Sequence, residues 1–299
     1  MKQSVKNINT PIPRIAAVHD LSGYGRASLT VAIPVLSSMG MQVCPLPTAV
    51  LSSQTASIDD FSFFDLTTQM TEILEKWINL DLFFDAVYSG FLGSANQVKI
   101  VETLMQKLGK KDAIFLVDPV LGDNGKLYPT QTDELVKSMR ELASMADIIT
   151  PNFTEACLLL DTPYEEIYDN KKIKEYLKAL ANLGENKKKK TVLITSAPCE
   201  DDTFIRVVAY EADKKKFWQT KNPRINTSYP GTGDAFASVF LGALLQNDSK
   251  PMAMARAARF VYKAMMLTYG YNTPYIDGVM LEKVLPDLNM QDLFLFEDF

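Results

Sequence analysis

Short runs rich in β-branched and aromatic residues alternate with longer amphipathic stretches along most of this 299-residue sequence. The strand-like runs lie at 14–19, 42–47, 86–90, 113–117 and 191–195. Most lead into a polar turn and then into apolar residues at three- and four-residue spacing. The stretch 94–108 is the clearest helix, with Val98, Val101, Leu104, Met105 and Leu108 on one face. Such alternation predicts an α/β fold of three layers, a central, mostly parallel sheet with helices on both faces. One region departs from it. Over 203–220, Phe204, Arg206, Val208 and Tyr210 alternate with other residues, and the polar turn Asp213-Lys214-Lys215-Lys216 precedes Phe217 and Trp218. That pattern predicts an antiparallel hairpin at the sheet edge.

Without a linker or an internal repeat, residues 1–299 read as one domain, with a core over 14–280 and a tail over 281–299. The tail is acidic and aromatic (Phe294, Phe296, Phe299) and carries no assignable role. The lysine run 187–190 reads as a solvated loop.

Charge and rare residues exclude several classes. A net charge of -5 argues against a nucleic-acid partner, which needs a basic face. Cys44, Cys157 and Cys199 form no C-x-x-C pair, so neither a disulfide framework nor a zinc site is expected, and a reducing, cytoplasmic location fits. His19 is the single histidine, which disfavours a multi-histidine metal site or a histidine triad. The N-terminus lacks the apolar run of a signal peptide, and no stretch approaches the roughly 20 apolar residues that cross a bilayer.

The chemistry concentrates at Gly231-Thr232-Gly233-Asp234, which runs directly into the apolar stretch Ala235, Phe236, Ala237, Val239, Phe240, Leu241 and Leu244. Glycines let successive N–H groups converge, and a helix start with its dipole is a ready anion site. A carboxylate in that first turn would repel a bound phosphate, which points to Asp234 as an acceptor of a proton. By local physics alone, a tight turn capping an apolar helix explains the segment equally well.

The segments 15–26, Ser89-Gly90-Phe91-Leu92-Gly93-Ser94, Val117-Asp118-Pro119-Val120-Leu121-Gly122-Asp123, Ile149-Thr150-Pro151-Asn152 and Gly231-Thr232-Gly233-Asp234 remove that ambiguity by their order. Together they resemble the pyridoxal kinase branch of the ribokinase superfamily, over nearly the whole chain. The resemblance implies a ribokinase-like fold and ATP-dependent phosphorylation of the hydroxymethyl group of a B6 vitamer. It implies that Asp234 is the catalytic base and that Gly231, Thr232 and Gly233 form an anion hole. Asp118, Thr150, Asn152, Glu155 and Thr195 would lie at the nucleotide, with Asp118 and Glu155 organising Mg²⁺, partly through water. Asp20, Thr55 and Phe91 would face the acceptor ring, His19 would point into the sheet, and Gly122–Tyr128, in sequence a mobile-looking loop, would be a flap over ATP. A homodimer and a monovalent cation also follow by resemblance.

Asp20 stands where many pyridoxal kinases carry serine, and it is similar to the aspartate of the hydroxymethylpyrimidine kinases, which form the main alternative. Sugar and nucleoside kinases of the superfamily usually carry a longer early lid. The sequence contains no G-x-x-x-x-G-K-[ST], so the phosphate site is not a P-loop. Gly23-Tyr24-Gly25 suggests a dinucleotide motif, but Ser28 replaces its third glycine. A non-catalytic ligand-binding relative would lack the base that Asp234 supplies.

Overall fold

Ile15, Ala16, Ala17 and Val18 are fully buried in succession, as happens only where helices cover both faces of a strand. They belong to β1 (Arg14–Ser22), which lies inside a ten-stranded sheet. The structure is a computed structural model describing residues 11–55, 60–165, 169–184, 190–289 and 296–299. After β1 come α1 (Leu29–Ser38), β2 (Gln42–Leu51), β3 (Phe63–Asp65), α2 (Thr67–Asn79), β4 (Phe84–Ser89), α3 (Ala95–Leu108) and β5 (Gly109–Val117). A small hairpin, β6 (Gly122–Asp123) and β7 (Lys126–Leu127), precedes α4 (Asp133–Met145), β8 (Ile148–Ile149), α5 (Phe153–Leu160) and α6 (Asn170–Ala181). Then β9 (Thr191–Ala197), β10 (Phe204–Glu211) and β11 (Lys216–Pro223) lead to α7 (Thr232–Leu245), α8 (Lys250–Gly270) and β12 (Glu297–Asp298).

Across the sheet the order is β12-β11-β10-β9-β8-β5-β4-β1-β2-β3. β1, β2, β4, β5, β8 and β9 run parallel. β3, β10, β11 and β12 pair antiparallel, so the expected hairpin is β10–β11, near one edge. The helix predicted over 94–108 is α3, with the Ser94 side chain as its N-cap.

Two apolar cores flank the sheet. Met70, Val98, Leu104, Leu135, Phe153 and Ile173 pack α2 to α6 on one face. Val31, Val35, Phe236, Val239, Phe240 and Ala257 pack α1, α7 and α8 on the other. A fully buried Leu, Val or Phe contributes about 1.5–3 kcal/mol relative to exposure. Burial on this scale, more than helix propensity, fixes the helices on the sheet.

Two segments differ from the sequence reading. Lys190 is fully buried instead of solvated, because β9 begins at the next residue and draws it under the sheet. Its Nζ donates to the Leu183 carbonyl at 2.9 Å, just beyond α6, where a cation suits the helix C-terminus; residues 187–189 lie outside the described residues. In the tail, Leu281, Val284 and Leu288 are buried in the second core. The last residues pair with β11, and the Phe299 ring lies 5.1 Å from Lys174 Nζ and 5.2 Å from the Arg206 guanidinium. Phe294 lies outside the described residues.

From β1 the chain steps to β2 on one side, and later to β4, β5, β8 and β9 on the other. Sheets of this kind open a crevice at the C-terminal ends of the strands where the direction of winding reverses. Here that point is the C-terminal end of β1, which carries His19 and Asp20.

Candidate active site

The strand ends are joined into one rim. The Asp118 N–H donates to the Ser89 carbonyl at 2.8 Å, Thr150 N–H to Val117 at 3.1 Å, and Thr195 N–H to Pro151 at 3.0 Å. Thr150 Oγ1 also donates to Asp118 Oδ1 at 3.1 Å. Thr55 follows β2 and Phe91 follows β4, so the strand order places them on either side of Asp20. Phe91 is buried edge-on to Phe63, with ring centroids 6.4 Å apart.

Above this rim stands the start of α7. The helix is buried all round from Ala235 to Ala243, as its apolar sequence requires. Gly231 is its N-cap at φ 84°, and Ala235 N–H is bonded to the Gly231 carbonyl. The N–H groups of Thr232, Gly233 and Asp234 belong to the first turn, which has no intrahelical acceptors. A Cβ on Gly233 would lie 3.7 Å from Asp118 Oδ2, so the helix start and the strand rim face each other closely.

Asp234 Oδ2 accepts the Ser28 N–H at 2.8 Å, and Oδ1 lies 3.8 Å from His19 Nδ1. Burial raises the Asp234 pKa from 3.8 to about 6; the Ser28 hydrogen bond opposes this and the nearby Asp20 charge adds to it. His19 is fully buried and packs edge-on against Tyr88 at 4.2 Å; burial lowers its pKa to about 3 and keeps it neutral. It fills the space left by Gly90, where a Cβ would fall 2.1 Å from Nδ1. His19 therefore underlies Asp234.

Asp20 is also buried, with Oδ2 accepting from Ser22 Oγ at 2.9 Å and Oδ1 accepting from Ser28 Oγ. Burial pushes its pKa up, against these two hydrogen bonds. Ser28 thus touches both carboxylates, a role that sequence reasoning missed. It is the N-cap of α1, buried, at φ 53° and ψ -124°. A non-glycine residue held there costs about 1–3 kcal/mol. Its one sequence signal was the glycine missing from a dinucleotide motif.

Asn152 and Glu155 form a complete capping box on α5. Asn152 Oδ1 accepts the Glu155 N–H at 2.9 Å, and Glu155 Oε2 accepts the Asn152 N–H at 2.8 Å. Both side chains also reach the β6–β7 segment: Glu155 Oε1 accepts from Leu121 N–H at 3.0 Å, and Asn152 Nδ2 donates to the Gly122 carbonyl at 2.8 Å. Gly125 N–H adds a bond to Thr154 Oγ1 at 2.9 Å. The stretch expected as a mobile-looking loop is thus a hairpin clamped onto α5. Its turn residues Asn124 and Gly125 take φ of 52° and 74°, as a two-residue turn between twisted strands requires. Asn152→Ala should lower stability by about 0.5–2 kcal/mol in a denaturant titration. It should also speed amide exchange at 122–127; unchanged exchange there would mean that the clamp holds without Asn152.

Three carboxylates meet around this crevice. Burial raises Glu155 to about 7. Asp118 is pushed well above the usual carboxylate range by burial and by the charges of Glu155 and Asp234. A hard cation would relieve this crowding, and the donors are all oxygen, which suits magnesium better than zinc. Among the described residues no group of three or more His, Cys, Asp or Glu is arranged as a cage for a metal ion. A cation here would take few side chains and keep waters.

The pattern of the phosphomethylpyrimidine kinase family matches residues 24–276. The chain belongs to that family. Among solved structures, pyridoxal kinase from Lactobacillus plantarum superposes with a TM-score of 0.84 at 30% identity, over 92% of this chain and 96% of that one. A Bacteroides thetaiotaomicron protein, provisionally described as a phosphomethylpyrimidine kinase and crystallised with pyridoxal, gives a TM-score of 0.91 at 46% identity, over 96% and 100% of the two chains. The curated pyridoxal kinase of Corynebacterium diphtheriae is 24% identical over 260 residues, 85% of this chain and 89% of its own. The ribokinase-like fold and the resemblance to pyridoxal kinases are borne out. No helix among the described residues is long and apolar enough to cross a membrane.

Proposed function

We propose that this chain is an ATP-dependent kinase that phosphorylates the hydroxymethyl group of pyridoxal, pyridoxamine or pyridoxine to the 5′-phosphate. The observation that carries the reading is the placement of Asp234: a raised carboxylate, held by Ser28, in the first turn of a helix whose free amides face the strand rim. Asp234 Oδ1 accepts the proton of the acceptor hydroxyl as its oxygen attacks the γ-phosphorus, and ADP leaves. The N–H groups of Gly231, Thr232 and Gly233 stabilise the charge that spreads over the transferred phosphoryl oxygens. Thr150, Asn152 and Thr195 line the nucleotide side. Magnesium, held by Asp118 and through water by Glu155, would neutralise phosphate charge. Asp20, Thr55 and Phe91 form the acceptor side.

The pyridine reading is favoured by the pyridoxal bound to the 46%-identical relative. The pyrimidine alternative is supported by the name of the matching family and by Asp20. A coupled ADP-release assay with Mg-ATP against the three B6 vitamers, hydroxymethylpyrimidine, ribose and adenosine separates them. Turnover is expected on at least one vitamer, and its absence on all three overturns the proposal.

Since Asp234 titrates near 6 and serves as a base only when ionised, kcat/KM should climb about tenfold per pH unit below 6 and level off above it. A profile already flat down to pH 5 would remove Asp234 from that role. Asp20→Ser should redistribute preference among the ring substrates while leaving the KM for ATP unaltered. An unchanged substrate profile would move ring recognition elsewhere.

A further inference from the structure

Ser28 lies between two carboxylates contributed by distant parts of the chain, one near the end of β1 and one at the start of α7. Its N–H occupies Asp234 Oδ2, which leaves Oδ1 as the oxygen available to an acceptor hydroxyl. Its hydroxyl occupies Asp20 Oδ1. Its backbone sits where glycine would be at ease, at φ 53° and ψ -124°, so the surroundings must impose that conformation.

They do so from three directions. Arg26 N–H donates to the Asp277 carbonyl at 2.9 Å, and Arg26 Nε bonds Glu282 at 2.8 Å. Gly278 lies so close that a Cβ on it would be 2.6 Å from the Arg26 carbonyl, and a Cβ on Gly231 would be 2.3 Å from the same atom. Gln54 N–H bonds the Tyr24 carbonyl at 2.9 Å. The loop between Asp20 and Ser28 is therefore enclosed by the segment after α8, the turn before α7 and the loop after β2.

We propose that Ser28 is a positioning residue that couples the acceptor pocket to the base, its hydroxyl fixing Asp20 and its backbone N–H fixing Asp234. An acceptor ring that engages Asp20 thereby steadies the same residue that aims the base. The strained backbone is retained because it points the two donors of one residue at two carboxylates. This inference rests on the kinase reading, and its test separates the two.

Ser28→Gly relieves the backbone but removes the hydroxyl that bonds buried Asp20, so the two effects offset in stability while activity falls. We expect Tm to stay within about 4 °C of the unsubstituted chain while kcat falls about 10- to 100-fold, with the KM for ATP within twofold. A residue with a merely structural role cannot give that combination. A kcat within twofold of the unsubstituted chain overturns the coupling, as does a fall of kcat accompanied by a Tm loss well beyond about 4 °C. Ser28→Ala, combined with Asp20→Ala, gives a second measurement: the loss from Ser28→Ala should vanish once Asp20 is absent, and full additivity overturns the coupling. A crystal structure of Ser28→Gly reads the same proposal without turnover. Displacement of the Asp20 carboxylate and lengthening of the residue-28 N–H contact to Asp234 are expected, and unchanged carboxylates overturn it. Absence of vitamer turnover in the unsubstituted chain counts against the assigned reaction instead.

Discussion

Asp234→Asn should lower kcat by about 10²–10⁴-fold and leave nucleotide affinity nearly unchanged. The side chain keeps its shape, and the amide oxygen can still accept the Ser28 N–H that holds Oδ2 at 2.8 Å. The helix start and its free amides therefore stay in place, and what disappears is the capacity to take a proton. Stability gives an independent reading. The folded pKa of Asp234 is raised from 3.8 to about 6, so its stabilising contribution is full below pH 3.8 and is lost as pH rises through 6. The asparagine variant lacks that penalty. Its Tm should exceed that of the unsubstituted chain at pH 8, with the difference closing at pH 4. Near-normal turnover would transfer the base to another residue, and a Tm loss at pH 8 would mean that the carboxylate is held by more than Ser28.

Gly231→Ala should be strongly damaging for so small a substitution. At φ 84° an alanine costs about 1–2 kcal/mol. The added Cβ would also fall 2.3 Å from the Arg26 carbonyl and 3.1 Å from Val31 Cγ2. The carbonyl has little room, because Gly278 packs close to it and the Arg26 N–H and guanidinium are both bonded to the Asp277 carbonyl at 2.9 Å. Overpacking of this kind adds about 1–3 kcal/mol, and relief requires the turn or the 23–28 loop to shift. Either shift separates the proposed anion hole from Ser28, so kcat/KM should drop by about 10² or more. Gly40 is the control: it has the same φ of 84° but no atom within 4 Å of its Cβ position. Gly40→Ala should lose about 1–2 kcal/mol and keep its turnover. Equal activity in the two variants would show that the anion hole tolerates movement of the turn.

Much of this was legible in the sequence, because the alternation of strands and helices and the order of Asp118, Thr150, Asn152 and Asp234 are carried by local stretches of chain. What was not legible depends on contacts between distant segments. Nothing near Ser28 announces that its backbone will be forced to positive φ by residues 231 and 278, or that its two donors will face Asp20 and Asp234. Lys190 looked like one of four solvated lysines, since its burial is set by where β9 begins. Asn152 and Glu155 were legible twice over. The segment whose resemblance implied a nucleotide site also has the spacing of a capping box, and the structure makes the box while leaving the nucleotide role to experiment.

The sheet that separates the two apolar cores also separates the helices whose N-termini meet at the crevice. Asp234 rides on α7, packed with α1 and α8, whereas Asn152 and Glu155 sit at the start of α5 on the opposite face. Packing changes in one core touch no side chain of the other, so their free energies should sum, while changes within a core should interact. A library of core variants can thus be searched one layer at a time, with the packing solutions of the two layers recombined afterwards.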